Sequence, residues 1–191
     1  NLADRREAVK KAIEEQGKLT AELSAAIDSA GTLAEVEDLY RPYKQKRRTR
    51  ATAAREKGLE PLAMLLLAQE KDCPAPEDAA QDYIDPERDV ETVADALQGA
   101  NDIVAEMLSD DADIRKALRG LLTRQGHLRS LAATEEDTVY RLYYDFDQPL
   151  SKLAGHQILA INRGEKEGVL SVTVLLDRDA ALPLLRRAVV K

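Results

Sequence analysis

Tryptophan is absent from the 191 residues, and phenylalanine occurs once. Aromatic residues make up only 4% of the chain, so its interior has to be built from leucine, alanine, isoleucine and valine, which favours helix packed on helix. Cysteine also occurs once, at Cys73. A single thiol has no internal partner, which excludes a small secreted scaffold stapled by disulfides. There are two histidines, His127 and His156, far apart and with no cysteine or histidine at ligand spacing. A zinc site needs about three or four converging ligands, so no metal is expected. No apolar run approaches the roughly 18 residues that span a bilayer; the longest is Leu62 to Ala68. No secretory segment is visible at the start, and the chain begins at Asn1. The expected compartment is the cytoplasm, with no membrane partner, and the chain reads as a piece of something longer.

Enzyme signatures are equally scarce. No glycine-rich phosphate loop follows a candidate strand. Gly164 and Gly168 frame Glu165-Lys166-Glu167, whose acids would repel a phosphate. Cys73 adjoins Asp72, and a neighbouring carboxylate makes a thiol a poor nucleophile. His127 follows a helix-ending glycine and is expected at a helix C-terminus; His156 opens a helix. Acids cluster at Asp110-Asp111-Ala112-Asp113 and at Glu135-Glu136-Asp137. Both clusters are read as helix starts, where carboxylates complement the dipole, rather than as magnesium ligands. No catalytic residue, cofactor or small-molecule substrate is assigned, and the chain is expected not to be an enzyme.

Charge is abundant, at 33% of residues. The net charge of −7 argues against a nucleic-acid partner, but it hides an asymmetry. Between Arg41 and Lys57 stand eight cations (Arg41, Lys44, Lys46, Arg47, Arg48, Arg50, Arg55, Lys57) and one acid, Glu56. That segment carries +7, and the remainder therefore carries −14. Lys46-Arg47-Arg48-Thr49-Arg50 offers guanidinium forks and a hydroxyl to phosphates. Lys44 and Arg55 extend the set, and Tyr40 and Tyr43 flank it where they could stack on bases. The same cations could instead bridge the acidic surface of this protein. Charge alone supports both readings.

Periodicity predicts helices over 2–17, from Thr20 to about Ala30, from Thr32 to about Pro42, over 50–57 and from Glu60. Thr32-Leu33-Ala34-Glu35 has the form of a capping box. Further helices are expected over 77–84, 89–108, 111–125 and 135–146. Gly99 within the longest of them marks a close helix crossing. Residues 127–134 are irregular or briefly extended, and 147–149 form a turn. Gly155 to Arg163 is helical, stopped by Gly164. Alternating β-branched residues over 168–177 predict a strand, and a last helix covers 180–190 despite Pro183. A lone strand cannot bury itself, so its partner is either Ile158 to Asn162 or lies outside the chain. The expectation is a mainly α, multi-helix scaffold over 1–150, followed by a small α/β element over 151–191.

The stretch Leu39-Tyr40-Arg41-Pro42-Tyr43-Lys44-Gln45-Lys46-Arg47-Arg48-Thr49-Arg50-Ala51-Thr52-Ala53-Ala54-Arg55-Glu56-Lys57-Gly58-Leu59-Glu60-Pro61-Leu62-Ala63 resembles the signature of the Tex family. So do Glu14-Glu15-Gln16-Gly17-Lys18-Leu19-Thr20 and Arg163-Gly164-Glu165-Lys166-Glu167-Gly168-Val169-Leu170. The likeness covers about residues 1–177 and departs from the family pattern at Arg41, Gln45 and Gly155-His156-Gln157. It implies a bacterial multidomain transcription accessory protein, similar to a eukaryotic elongation factor. The N-terminal part would be a helical scaffold with helix-turn-helix character. A YqgF-like domain of RNase H type, helix-hairpin-helix modules and a C-terminal S1 RNA-binding domain would follow, and the chain is expected to end before them. The expected role is sequence-independent RNA or DNA association in transcription through Lys44, Lys46, Arg47, Arg48, Arg50 and Arg55. The alternative is a protein–protein module that docks RNA polymerase or the protein's own later domains without touching nucleic acid.

Overall fold

In a computed structural model describing residues 1–191, hydroxyl and amide side chains start most of the longer helices in the first half. Asn1 caps α1 (Leu2–Glu14) in a full capping box with Asp4. Thr20 caps α2 (Ala21–Ser29), and Thr32 caps α3 (Leu33–Tyr40) by accepting from the Glu35 N–H. The expected reciprocal bond is altered: the Glu35 carboxylate accepts from the Gly31 N–H at 2.7 Å, one residue before the cap. Thr49 and Thr52 form the capping box of α4 (Arg50–Glu56). Gly58, at φ +82°, ends that helix in a conformation that favours glycine, and α5 (Glu60–Ala68) follows with Pro61 in its first turn. After α6 (Pro76–Gln81), the 18-residue α7 (Val93–Asp110) starts on a Thr92–Asp95 capping box. Each cap satisfies donors that have no partner within the helix.

Chain contacts separate two units: Asn1–Arg115 with Val189–Lys191, and Lys116–Ala188. The sequence-based division at 150/151 therefore passes within the second unit, inside the 3-10 turn Leu150–Lys152.

The first unit holds two apolar cores. Val9, Ile13, Ile27, Ala30 and Val36 bring α1, α2 and α3 together. Ala51, Ala54, Leu59, Leu62, Ala80, Ala96, Ala100 and Ile103 join α4, α5, α6 and α7. Small residues let the helices approach closely. A Cβ on Gly99 would stand 2.3 Å from Leu59 Cδ1 and 3.3 Å from Ala54 Cβ, so the crossing expected at Gly99 is present and depends on its missing side chain.

The second unit takes in most of α8 (Ala112–Gln125) and a three-stranded antiparallel sheet ordered β2-β1-β3. The strands are β1 (His127–Ala132), β2 (Asp145–Pro149) and β3 (Leu170–Leu175). Helix α9 (Gly155–Lys166) packs on β3, where a Cβ on Gly164 would lie 2.6 Å from Leu170 Cδ1. Leu128, Tyr140, Ile161 and Leu170 are buried in this unit. Helix α10 (Arg178–Val189) follows, with Pro183 inside it. No helix is long and apolar enough to cross a membrane.

The fold class is as expected, mainly helical with a small sheet near the C-terminus. Several elements correct the sequence reading. Residues 135–146 do not form a helix, and 147–149 are strand rather than turn. The Tyr144 hydroxyl donates to the Glu136 carbonyl at 2.5 Å and accepts from the Thr138 N–H at 3.1 Å, tying a loop. Tyr140 turns inward beside Gly164, and Asp145–Pro149 pairs with β1. The helical stripe was the misleading signal: Val139 and Leu142 are 86% and 77% exposed. The partner of β3 is β1, with Leu128 opposite Val174, and not Ile158 to Asn162, which lies in α9. Gly164 does not stop α9; the helix runs to Lys166, and Gly168 at φ +75° turns the chain.

Candidate nucleic-acid interface

The basic segment lies between the two cores of the first unit, running from a 3-10 turn at Arg41–Tyr43 into α4. Its counterpart is a row of acids on α7. Asp102, Glu106 and Asp110 are spaced four residues apart and so fall on one side of the helix, roughly 6 Å apart along it. Ile103, beside the row, is buried in the core that holds α4. The apolar stripe that docks α7 thus also turns its carboxylates toward the basic segment.

Three cations are taken up by this row. Arg55 Nη1 donates to Glu106 Oε1 at 2.8 Å, and its Nε lies 3.4 Å from Glu60 Oε1. Lys46 Nζ donates to Asp110 Oδ2 and stands 3.7 Å from Glu106 Oε1. Arg41 Nε donates to Asp110 Oδ1 at 2.8 Å. Thr49 completes the arrangement, its hydroxyl donating to Glu106 Oε2 at 2.8 Å while it caps α4. Burial opposes ionisation of Glu106, but the hydrogen bonds from Arg55 and Thr49 and the charge of Lys46 outweigh it, holding the carboxyl below the usual glutamate range. The same bond from Glu106 raises Arg55 above its ordinary value.

The outer cations differ. Arg50 Nε is 3.7 Å from Asp102 Oδ1, yet its side chain is 86% exposed. Arg48 pairs with Glu56 at 2.7 Å and is 73% exposed, against 29% for Lys46 and 32% for Arg55. Lys44 and Arg47 are exposed. Lys57 Nζ donates to the Asp89 carbonyl at 2.9 Å. Six proposed contact residues thus fall into two sets: Lys46 and Arg55 inside, Lys44, Arg47, Arg48 and Arg50 outside.

The two tyrosines are half-buried and packed against the α1–α3 core. Tyr40 already has a cation on its face, with Arg5 Cζ 5.6 Å from the ring centroid. Arg5 also donates to Glu37 at 2.6 Å, a bond that depresses the Glu37 carboxyl. Tyr43 lines a groove of about 600 Å³ with Lys44, Lys46, Arg55, Glu106 and Asp110. A second ion pair, Arg115 Nε to Asp38 Oδ1 at 2.6 Å, ties the start of α8 to α3.

The remaining sequence candidates lie apart from this region. His127 is the first residue of β1, not a helix C-terminus, and its Nδ1 is 2.7 Å from Asp147 Oδ1 on β2. Within the first acidic cluster Asp111 accepts from the Ile114 N–H at 2.8 Å and Asp113 lies in the first turn of α8, both at a helix start as expected; Asp110 ends α7 and holds cations instead. Glu135, Glu136 and Asp137 precede no helix, because their segment is the Tyr144-tied loop. Cys73 is half-buried. No three His, Cys, Asp or Glu side chains converge as metal ligands. Sequence reasoning missed the acid row, although its four-residue spacing within the longest predicted helix was the available signal.

In sequence, the chain is similar to known proteins. Residues 71–188 match the family described as Tex central region-like. The chain is 44% identical over 175 residues to Protein tex of Bordetella pertussis, covering 90% of this chain and 22% of that protein. It is 37% identical over 184 residues to the Transcriptional accessory protein Tex of Neisseria gonorrhoeae, covering 93% and 23%. It is 31% identical over 173 residues to the human S1 RNA-binding domain-containing protein 1, covering 85% and 17%. The chain spans about a quarter of the length of the curated bacterial relatives it matches. With a family match over more than half of its residues and relatives about 40% identical over nine-tenths of it, the chain belongs to the Tex family.

Proposed function

We propose that this region is the helical scaffold of a cytoplasmic transcription accessory protein and that its outer cations contact RNA or DNA without reading sequence. Lys44, Arg47, Arg48 and Arg50 approach phosphates, while Lys46 and Arg55 hold the segment in place through Glu106 and Asp110. The region works without catalysis, by positioning charge.

The observation that supports this reading is the division of exposure within one segment. Arg48, paired with the surface acid Glu56, and Arg50, only 3.7 Å from Asp102, remain largely in solvent, whereas Arg55 and Lys46 are drawn onto α7. Long side chains kept together in solvent repel one another and add little to stability, so their concentration favours an anionic partner. The names of the relatives point the same way: two are Tex proteins, one described as a transcriptional accessory protein, and another carries an S1 RNA-binding domain in its name.

The test is binding of a fluorescent single-stranded RNA and a DNA duplex across a salt series, for the wild type and for a variant with alanine at Arg47, Arg48 and Arg50. A salt-dependent affinity that the variant loses, with the fold intact, supports the reading, because phosphate contacts release counterions. If neither protein binds, the region serves instead as a docking module for polymerase or for other domains of its parent.

A further inference from the structure

We infer that the acid row of α7 is a built-in competitor for nucleic acid: Asp102, Glu106 and Asp110 occupy cations that a phosphate backbone would otherwise take, and so hold the affinity of the basic segment down. This rests on the proposed function above, since it concerns the regulation of that same surface.

The row is a linear array of anions. Three carboxylates follow one another along a single helix about 6 Å apart, presenting repeated negative charge to the basic segment, as a phosphate backbone does. Four of the eight cations of the segment lie against it: Arg41 and Lys46 on Asp110, Lys46 and Arg55 on Glu106, and Arg50 beside Asp102. The acids lie beneath and the cations above. Asp110 is buried, and Asp102 and Glu106 are half-buried, while Arg41 and Arg50 are exposed. Nucleic acid arriving from solvent therefore meets the cations first, and four of them, Arg41, Lys46, Arg50 and Arg55, already have a carboxylate behind them.

The engagement is graded along the row. At the Asp110 end Arg41 and Lys46 both bond directly. In the middle, Glu106 is bonded by Arg55 and Thr49. At the Asp102 end, Arg50 has only a 3.7 Å approach and stays exposed. Release would thus begin at Arg50, beside the exposed Arg47 and the Glu56-paired Arg48, and proceed toward Asp110 as each cation exchanges a carboxylate for a phosphate. By linkage, whatever weakens the row strengthens binding, and bound nucleic acid loosens the row.

The experiment uses the 191-residue chain and a fluorescent 20-nucleotide single strand. Four proteins are compared: wild type; Asp102→Asn with Glu106→Gln and Asp110→Asn; Asp102→Asn alone; and a charge-matched control, Glu70→Gln with Glu77→Gln and Asp78→Asn, three exposed acids away from the row. The expected result is roughly tenfold tighter binding by the triple variant. Its salt dependence should steepen by about 0.7 for each cation freed on a single strand. Asp102→Asn frees Arg50 without touching the bonded part of the row, so it stays folded and shows the smallest such step. The control should match wild type in slope. If wild type binds and both row variants leave affinity and slope unchanged, or if the control shifts them equally, the competitor idea is overturned while the nucleic-acid reading stands. If neither wild type nor the row variants bind at low salt, the nucleic-acid reading itself fails.

Discussion

The two units of this chain are held by different kinds of contact. In the first, neighbouring helices are fixed by caps two or three residues away and by alanine-rich crossings, as at Thr92–Asp95 and Gly99. In the second, a sheet is closed by residues far apart in sequence: Leu128 meets both Gln148 and Val174. The comparison teaches that local pattern suffices where an element carries its own start signal and one apolar stripe, and fails where pairing supplies the stability. The first unit also assigns one segment two tasks, with inner cations serving the fold and outer cations facing solvent.

The largest expected effect is at the helix crossing. Gly99→Leu should destabilise the first unit by about 3 kcal/mol or more, because its side chain must enter space held by Leu59 and Ala54. Chemical denaturation should show the lowered midpoint, and hydrogen exchange should rise across α4 and α7. Its counterpart in the second unit is Ile161→Ala, which empties a fully buried site and should cost about 2–4 kcal/mol. Faster exchange in α9 and β3 would confirm that core; unchanged exchange there would break the picture of α9 as the cover of the sheet.

Breaking the inner set comes next. Glu106→Gln should cost about 1–2 kcal/mol, since it leaves Arg55 and Lys46 half-buried beside an uncharged partner. Because Glu106 is held below its ordinary value in the folded state, its contribution is complete above the unfolded glutamate range, about pH 4.3. It is lost as pH falls through the depressed folded value. The wild type should therefore lose stability faster than the variant on acidification below about pH 5, and parallel curves would remove Glu106 from the fold's acid sensitivity. Thr92→Ala should cost about 1 kcal/mol through the lost cap of α7. The smallest effect belongs to the outer set: alanine at Arg47, Arg48 and Arg50 should change stability by less than about 0.5 kcal/mol per residue. A large loss there would erase the distinction between inner and outer cations.

The legibility of the sequence follows the same division. Thr20 and Thr32 mark helix starts legible in the sequence, because a cap and the N–H it satisfies lie within three residues; the same signal stands at Thr92, although the expected start of α7 is residue 89. Gly99 announced a close crossing because nothing in an isolated helix rewards glycine. The basic segment was visible as a charge anomaly, but which cations were engaged was not, since Asp110 lies 64 residues beyond Lys46. Val139, Leu142 and Tyr143 imitated a helical stripe, while the tether that replaces it, Tyr144 to Glu136 and Thr138, leaves no periodic trace.

The sequence by itself determined several helix starts, the glycine stops at Gly17 and Gly58, a strand within 168–177, the mainly α class and the concentration of positive charge, because each depends on residues within a few positions of one another. Only the tertiary structure decided that β1 lies between β2 and β3, that His127 meets Asp147 across strands, and that α7 supplies the carboxylates beneath the basic segment. Those outcomes depend on which distant surfaces are buried together, a balance of packing and charge that no local pattern encodes.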